Sequence, residues 1–162
     1  MDDVELEARR TVYLAECMQL IDTYGWMVQG VFPREDTPPE EQYSFNYTVG
    51  LSAKGLPEFI AYGLDLDVGK IVLNQLAQRA IDGEQLRPGT IVSFQNDYEG
   101  VLLLADDLSD LTLARHFYPI VRAFQLVFQD DQHRWPNDPN YGHPGLPILG
   151  RFPTTFHRKE VI

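Results

Sequence analysis

The chain has 162 residues, of which 44% are hydrophobic and 23% are charged. This length and composition suit one globular domain spanning residues 1–162, and they exclude intrinsic disorder and a membrane-spanning protein. The 24 acidic and 13 basic residues give a formal net charge of -11, which opposes direct binding to nucleic acid or to an anionic membrane surface.

The first predicted element is an N-terminal helix over residues 1–24. Its opening residues, MDDVELEARR, lack the apolar core of a secretory signal, so we expect a cytoplasmic protein. Apolar residues recur at steps of three and four, the spacing of an amphipathic helix: Val4, Ala8, Val12, Ala15, Met18 and Ile21. Cys17, the single cysteine, falls on an apolar stripe and is expected to be a buried thiol, and Gly25 is placed to end the helix.

Two strands are predicted next, at residues 26–32 and 43–51, with a proline-interrupted loop between them. In the second strand, YSFNYTVGL, apolar residues alternate with Ser44, Asn46, Thr48 and Gly50. One face is therefore apolar and the other is small and polar. Either a helix or a ligand could pack against the polar face.

The rest of the chain up to residue 129 alternates between predicted strands and helices. The elements are a strand at 58–64 that forms an antiparallel hairpin with 43–51, a helix at about 68–81, a hairpin of 90–95 and 101–106 joined by 97–100, a helix at 109–118, and a strand at 121–129. Strands in runs with helices between them predict a single α+β domain with a largely antiparallel sheet and flanking helices. Asn74, inside the apolar stretch of the 68–81 helix, needs polar partners or a pocket.

The sequence contains no recognisable catalytic or cofactor motif. The phosphate-binding patterns G-x-x-x-x-G-K-[ST] and G-x-G-x-x-G are absent, so the sequence identifies no cofactor. The histidines show no metal-binding spacing, so no metal site is predicted.

Residues 130–162 are irregular and rich in proline, glycine and aromatic residues. A flexible linker would not carry large apolar side chains such as Trp135, Tyr141 and Leu149. We therefore expect an ordered segment that wraps the sheet, stiffened by proline. His143 and Arg151 could add a binding site to it.

Several stretches resemble a bacterial family known as domain of unknown function 4262. They are FNYTVGL (45–51), PEFIAYGL (57–64), LNQLAQRAIDGE (73–84), FQLVF (124–128) and WPNDPNYGHPGLPILG (135–150). The resemblance implies a shared fold and a shared surface that includes Tyr47, Thr48, Glu58 and Asn74. It implies no activity.

These observations favour a non-catalytic cytoplasmic binding module for a protein partner or a small anionic or aromatic ligand. The acidity of the chain suits an inhibitor- or immunity-like role. The candidate ligand-binding residues are Asn46, Tyr47, Thr48, Glu58, Asn74, Trp135, Tyr141, His143 and Arg151. The alternative is a small hydrolase or transferase that acts on a metabolite with His143 or Glu58 as general base. Edge strands of an open sheet could also pair two copies into a homodimer.

Overall fold

The computed structural model describes residues 2–39, 42–94 and 98–158, and its strands form one mixed sheet. The helices are α1 (Asp3–Tyr24), α2 (Leu66–Ile81) and α3 (Thr112–Phe117), and the strands are β1 (Met27–Val31), β2 (Phe45–Val49), β3 (Glu58–Tyr62), β4 (Thr90–Phe94), β5 (Tyr98–Leu104), β6 (Ala123–Phe128) and β7 (His157–Arg158). The strand order is β1-β2-β3-β6-β5-β4-β7, and only the β3–β6 and β4–β7 pairs are parallel among the described residues. The predicted α+β class is confirmed.

Helices and irregular chain cover both faces of the sheet. On one face, Leu73 and Leu76 of α2 pack in a buried cluster with Leu102 of β5. On the other face, the last turns of α1, helix α3 and the C-terminal segment contribute to a second cluster, through residues such as Ile21 and Leu113. The sheet is therefore the middle of three layers, the arrangement that buries both faces of its central strands.

The helix and most strand predictions agree with the structure, but one strand boundary is wrong and one short strand was not predicted. Tyr98 and Gly100 were predicted to lie in a hairpin connection, whereas both belong to β5. Gly100 is needed there because a Cβ would lie 2.6 Å from the side chain of Leu126 on β6. Strand β7, which has only two residues and pairs with β4, was not predicted. Parts of the predicted 33–42 loop, 90–95 strand and C-terminal segment, at 40–41, 95–97 and 159–162, lie outside the described residues.

Helix α1 contacts the rest of the protein mainly through its C-terminal turns. Cys17 and Ile21 are its buried residues, which confirms the expectation for the thiol. The N-terminal part of the predicted apolar stripe is not buried, because Val4 and Val12 are 79% and 58% exposed. Gly25 ends the helix with a left-handed backbone, at a φ of 93°. No helix in the described ranges has both the length and the apolar character required to cross a bilayer.

Helix α2 covers the small, polar face of β2. Asn46 is only 2% exposed there, and its Nδ2 donates to the backbone oxygen of Leu66 at 3.2 Å. A Cβ on Gly69 would overlap the amide oxygen of Asn46. Glycine at position 69 therefore lets the helix approach the strand closely.

Replacing Gly69 with alanine should lower the free energy of unfolding by about 1–2 kcal/mol. Alanine alone would favour the helix by about 1 kcal/mol, but the overlap with Asn46 costs more. Urea unfolding of G69A in the wild type and in an Asn46→Ala background separates the two effects. The same G69A change should become neutral or stabilising once the amide is gone. If it were equally destabilising in both backgrounds, the overlap with Asn46 would not be the cause.

Candidate functional site

A groove of about 510 Å³ lies between the end of α1, strand β1 and helix α2. Its lining residues are Leu20, Tyr24, Trp26, Met27, Val28, Lys70, Asn74 and Gln78. The three elements meet at the β1 edge of the sheet, because Gly25 turns the chain directly from α1 into β1 and α2 packs on the face opposite α1. The groove is large enough for a small organic ligand.

The polar side of the groove is formed by Lys70, Asn74 and Gln78 of α2. These residues are spaced by four, so they follow one face of the helix over about 12 Å. The indole Nε1 of Trp26 donates to Oδ1 of Asn74 at 3.0 Å. Because an indole N–H can only donate, this bond fixes the orientation of the Asn74 amide and leaves its Nδ2 to donate elsewhere.

Gln78 and Lys70 complete the polar side. Gln78 donates through Nε2 to Oδ1 of Asp82 at 2.9 Å, so its Oε1 remains available as an acceptor. Lys70 is exposed and forms no ion pair within the described part of the chain. The helix therefore presents a cation, an amide donor and an amide acceptor in succession along the groove.

The opposite side of the groove is largely apolar. Leu20 and Tyr24 of α1 are 45% and 68% exposed, an unusual degree of exposure for large side chains that line a concavity. Met27 and Val28 are partly buried beside them. An apolar wall facing a few oriented polar groups is the usual composition of a small-molecule site.

Glu58, a candidate from the sequence, is the first residue of β3, and its side chain is buried against the turn that joins β2 to β3. Its carboxylate accepts five hydrogen bonds, from the hydroxyls of Thr48 and Ser52 and from the backbone amides of Gly50, Leu51 and Ser52, at 2.5–3.3 Å. Burial raises the pKa of Glu58, and the hydrogen bonds from Ser52 and Thr48 oppose that rise. Both carboxylate oxygens are engaged by the turn.

The other strand candidates lie on different sides of the sheet. Thr48 connects β2 to β3, since its hydroxyl accepts from the amide of Phe59 at 2.8 Å and donates to Glu58. Asn46 lies beneath α2. Tyr47 points the opposite way, and its hydroxyl accepts from the amide of Leu113 at 3.0 Å. Neighbouring strand residues face opposite sides of a sheet, so Asn46 and Tyr47 cannot line one cleft.

The remaining candidates belong to the C-terminal segment. Trp135 packs with the rings of Phe152 and Phe156, at centroid distances of 6.3 and 5.7 Å. The hydroxyl of Tyr141 donates to the backbone oxygen of Phe128 at 2.8 Å, and burial raises its pKa to about 12. His143 stacks edge-on against Tyr141, at a centroid distance of 5.6 Å, and both His143 and Arg151 are exposed.

Asp130 holds the first part of this segment together. Its carboxylate accepts from the backbone amides of Gln132, Arg134 and Gly142 and from the Arg134 side chain, at 2.8–2.9 Å. Desolvation alone would raise the pKa of Asp130, but the bonds from Arg134 and Gly142 hold it well below its usual range. In the described ranges, no group of three or more histidine, cysteine or carboxylate side chains comes together as metal ligands.

Asn74 is the one sequence candidate that lines the groove, and Trp26, Lys70 and Gln78 were missed. The sequence could have indicated the three helical residues, because Lys70, Asn74 and Gln78 are spaced by four and therefore lie on one face of a helix. Trp26 gave no such signal, since its bond to Asn74 joins positions 48 residues apart.

The three-layer α+β fold, with a groove at the β1 edge of its sheet, defines a small single-domain protein. Comparison with known families identifies it further: residues 20–142 match the model of the Domain of unknown function (DUF4262), and the chain belongs to this family. The match includes β1 to β6, α2, α3 and every residue that lines the groove. No curated protein and no solved structure matches the sequence.

Proposed function

We propose that this protein is a non-catalytic cytoplasmic binding module and that its ligand site is the groove between α1, β1 and α2. The observation that supports the proposal most directly is the row of Lys70, Asn74 and Gln78 facing an apolar wall. The bonds to Trp26 and Asp82 orient two of these side chains before any ligand arrives. Such preorganisation reduces the entropy cost of binding.

The chemistry of the groove defines the ligand class. Lys70 suits an anionic group, and Tyr24, Met27 and Val28 suit an aromatic or aliphatic body. Asn74 and Gln78 can donate to and accept from polar atoms along that body. We therefore propose a small, elongated aromatic or aliphatic anion as ligand, either free or as a side chain of a protein partner.

The catalytic alternative has less support from the geometry. Glu58 has both oxygens occupied by the β2–β3 turn, an arrangement that leaves no lone pair directed at a substrate. His143 is exposed and lies in the C-terminal segment, outside the lining of the groove. Binding therefore accounts for more of the observed geometry than catalysis does.

Replacing Lys70 with glutamine should weaken binding of a simple aromatic anion roughly tenfold or more, because the charge-assisted bond is lost. Phenylpropanoate, titrated by NMR, is a suitable probe. Arg115→Gln, which removes one positive charge on the other face of the sheet, is the matched control and should leave the affinity unchanged. Phenylpropylamine, with the charge reversed, should bind more weakly than phenylpropanoate. Equal binding of both probes, or an equal effect of K70Q and R115Q, would exclude the groove as an anion site.

A further inference from the structure

Strand β1 forms one edge of the sheet and lacks the features that usually protect an exposed edge. Protected edges carry charged residues or proline, or are very short. The other edge strand, β7, fits this rule, since it has only two residues and Arg158 there pairs with Glu99. Strand β1 has five residues, Met27–Val31, and none of them is charged or a proline. Its edge is therefore suited to pairing with a further strand.

The backbone groups that β1 directs outward belong to Val28 and Gly30. The amide of Gly63 donates to the backbone oxygen of Ser44 at 2.9 Å, so the even-numbered residues of β2 bond to β3. The odd-numbered residues of β2 therefore bond to their odd-numbered partners in β1. Within the described ranges, nothing bonds to the outward N–H and C=O groups of Val28 and Gly30.

The groove lies along this open edge. Met27 and Val28 both line the groove, although neighbouring strand residues face opposite sides of a sheet. Only a space beyond the edge of β1 is reached from both sides. Leu20 and Tyr24 of α1 bound this space on one side of the sheet, and α2 bounds it on the other. An additional strand beside β1 would therefore occupy the groove.

Helix α2 runs alongside β1 in the opposite direction. A Cβ on Gly30 would lie 3.4 Å from the side chain of Leu66, at the start of the helix, and Trp26 bonds to Asn74, about two turns later. The polar residues of α2 in the groove are spaced by four, about 6 Å apart along the helix. Side chains on one face of a strand repeat about every 6.7 Å. Successive polar residues of α2 can therefore meet successive side chains of an added strand.

These contacts define the chemistry of the added strand. Its residues that face α2 would be acidic beside Lys70 and polar beside Asn74. Its residues that face α1 would be apolar, because Leu20 and Tyr24 line that side. A second copy of β1 does not fit this pattern, since it contains no acidic residue.

We propose that an extended segment of a partner protein, with acidic or polar residues alternating with apolar ones, adds to the sheet antiparallel to β1. This assignment rests on the proposed role of the groove as an anion site. Main-chain bonds to Val28 and Gly30 supply affinity, and the two sides of the groove supply specificity. The antiparallel direction gives the more stable pairing per residue, and it places the residue opposite Val28 beside Lys70.

The capped peptide acetyl-TVTLEVT-amide, titrated by NMR, is the probe. With its glutamate opposite Val28, the glutamate amide faces β1 and the leucine amide faces away. N-methylation of the glutamate amide should weaken binding at least about tenfold, because it removes a main-chain hydrogen bond and blocks close approach. N-methylation of the leucine amide is the matched control and should have little effect. Equal effects, or a larger effect at leucine, would overturn the antiparallel strand.

Hydrogen exchange locates the pairing on the protein. Saturation with the peptide should slow exchange at the Val28 and Gly30 amides at least about tenfold. The amide of Gln29 already pairs with β2 and is the internal reference, and phenylpropanoate should leave Val28 and Gly30 unprotected. Protection of both amides in the free protein that increases with protein concentration would show that a second copy occupies the edge. That result would overturn the proposal.

Lys70→Gln separates the added strand from the anion site itself. This substitution should weaken binding of both phenylpropanoate and the peptide. If phenylpropanoate binding depended on Lys70 but the peptide did not protect Val28 and Gly30, the anion site would stand and the added strand would be rejected. If neither ligand depended on Lys70, both would be rejected.

Discussion

Replacing Glu58 with glutamine should lower the free energy of unfolding by about 2–4 kcal/mol. The carboxylate is fully buried and accepts five hydrogen bonds from the β2–β3 turn. A glutamine amide has the same shape but only one acceptor oxygen. Its NH₂ group would face N–H or O–H donors, leaving them unsatisfied inside the protein, and each such group costs about 1–3 kcal/mol.

The orientation of the glutamine does not remove this cost. Oε1 of Glu58 accepts from Thr48 and Leu51, whereas Oε2 accepts from Gly50 and Ser52. Either orientation of the amide therefore places its nitrogen against at least one backbone N–H. The turn should consequently loosen around Ser52, where the carboxylate accepts from both the amide and the hydroxyl.

Glu16→Gln provides the matched control. Glu16 is exposed on α1, so the same chemical change there should alter stability by no more than about 0.5 kcal/mol. Urea unfolding of E58Q, E16Q and wild type measures both effects. A loss for E58Q as small as that for E16Q would show that the five hydrogen bonds do not stabilise the turn.

The contribution of Glu58 to the free energy of unfolding should also depend on pH. Burial raises its folded-state pKa above the value of 4.5 that an unperturbed glutamate has. Because the pKa of Glu58 is higher in the folded than in the unfolded protein, protonation of Glu58 favours folding. This contribution to the free energy of unfolding is fully present below the pKa of the unfolded state and is lost as pH rises through the pKa of the folded state. The stability of wild type relative to E58Q should decline from pH 4.5 upward. If the stability of wild type relative to E58Q instead increased with pH, the hydrogen bonds would lower the pKa of Glu58 by more than burial raises it.

Local periodicity was sufficient to predict most of the fold. The alternation in residues 43–51 identified β2, and the three-to-four spacing in residues 68–81 identified most of α2, because both patterns arise within one element. The same spacing also identified α1 as a helix, but it did not show that Val4 and Val12 are exposed, because spacing reveals an apolar face and not whether anything covers it. Gly100 was assigned to a turn for a related reason: the residue that requires a glycine there, Leu126, lies on another strand.

The candidate site was harder to predict, because polar residues in a fold acquire their roles from distant partners. Glu58 was recognised as notable, yet its role depends on a turn that wraps around the carboxylate. The groove combines α1, β1 and α2, and no single stretch of sequence contains it. Asn74 was identified because a polar amide in an apolar helical stretch is a local anomaly. Lys70 was not, because an exposed lysine on a helix is ordinary.

The C-terminal segment is attached to the sheet by a buried glutamine. Gln125 of β6 is fully buried, and its Nε2 donates to the backbone oxygen of Pro147 at 2.7 Å, while its Oε1 accepts from the amide of Leu149 at 2.8 Å. The backbone oxygen of Leu149 also accepts from the amides of Asp106 and Asp107, at 2.8 and 2.9 Å. At Gly150 a Cβ would overlap the backbone oxygen of Leu104. From these contacts we expect a structural wrap and not a lid.

Replacing Gln125 with leucine should therefore destabilise the whole protein by about 2–4 kcal/mol, since Pro147 and Leu149 would each lose a hydrogen-bond partner. Gln75→Leu, at an exposed position of α2, is the matched control and should change stability by no more than about 0.5 kcal/mol. Hydrogen exchange at the Leu149 amide distinguishes a wrap from a lid. In a wrap, this amide exchanges through global unfolding, so Q125L accelerates it in proportion to the lost stability. Rapid exchange at Leu149 in the wild type, with core amides still protected, would identify the segment as a lid.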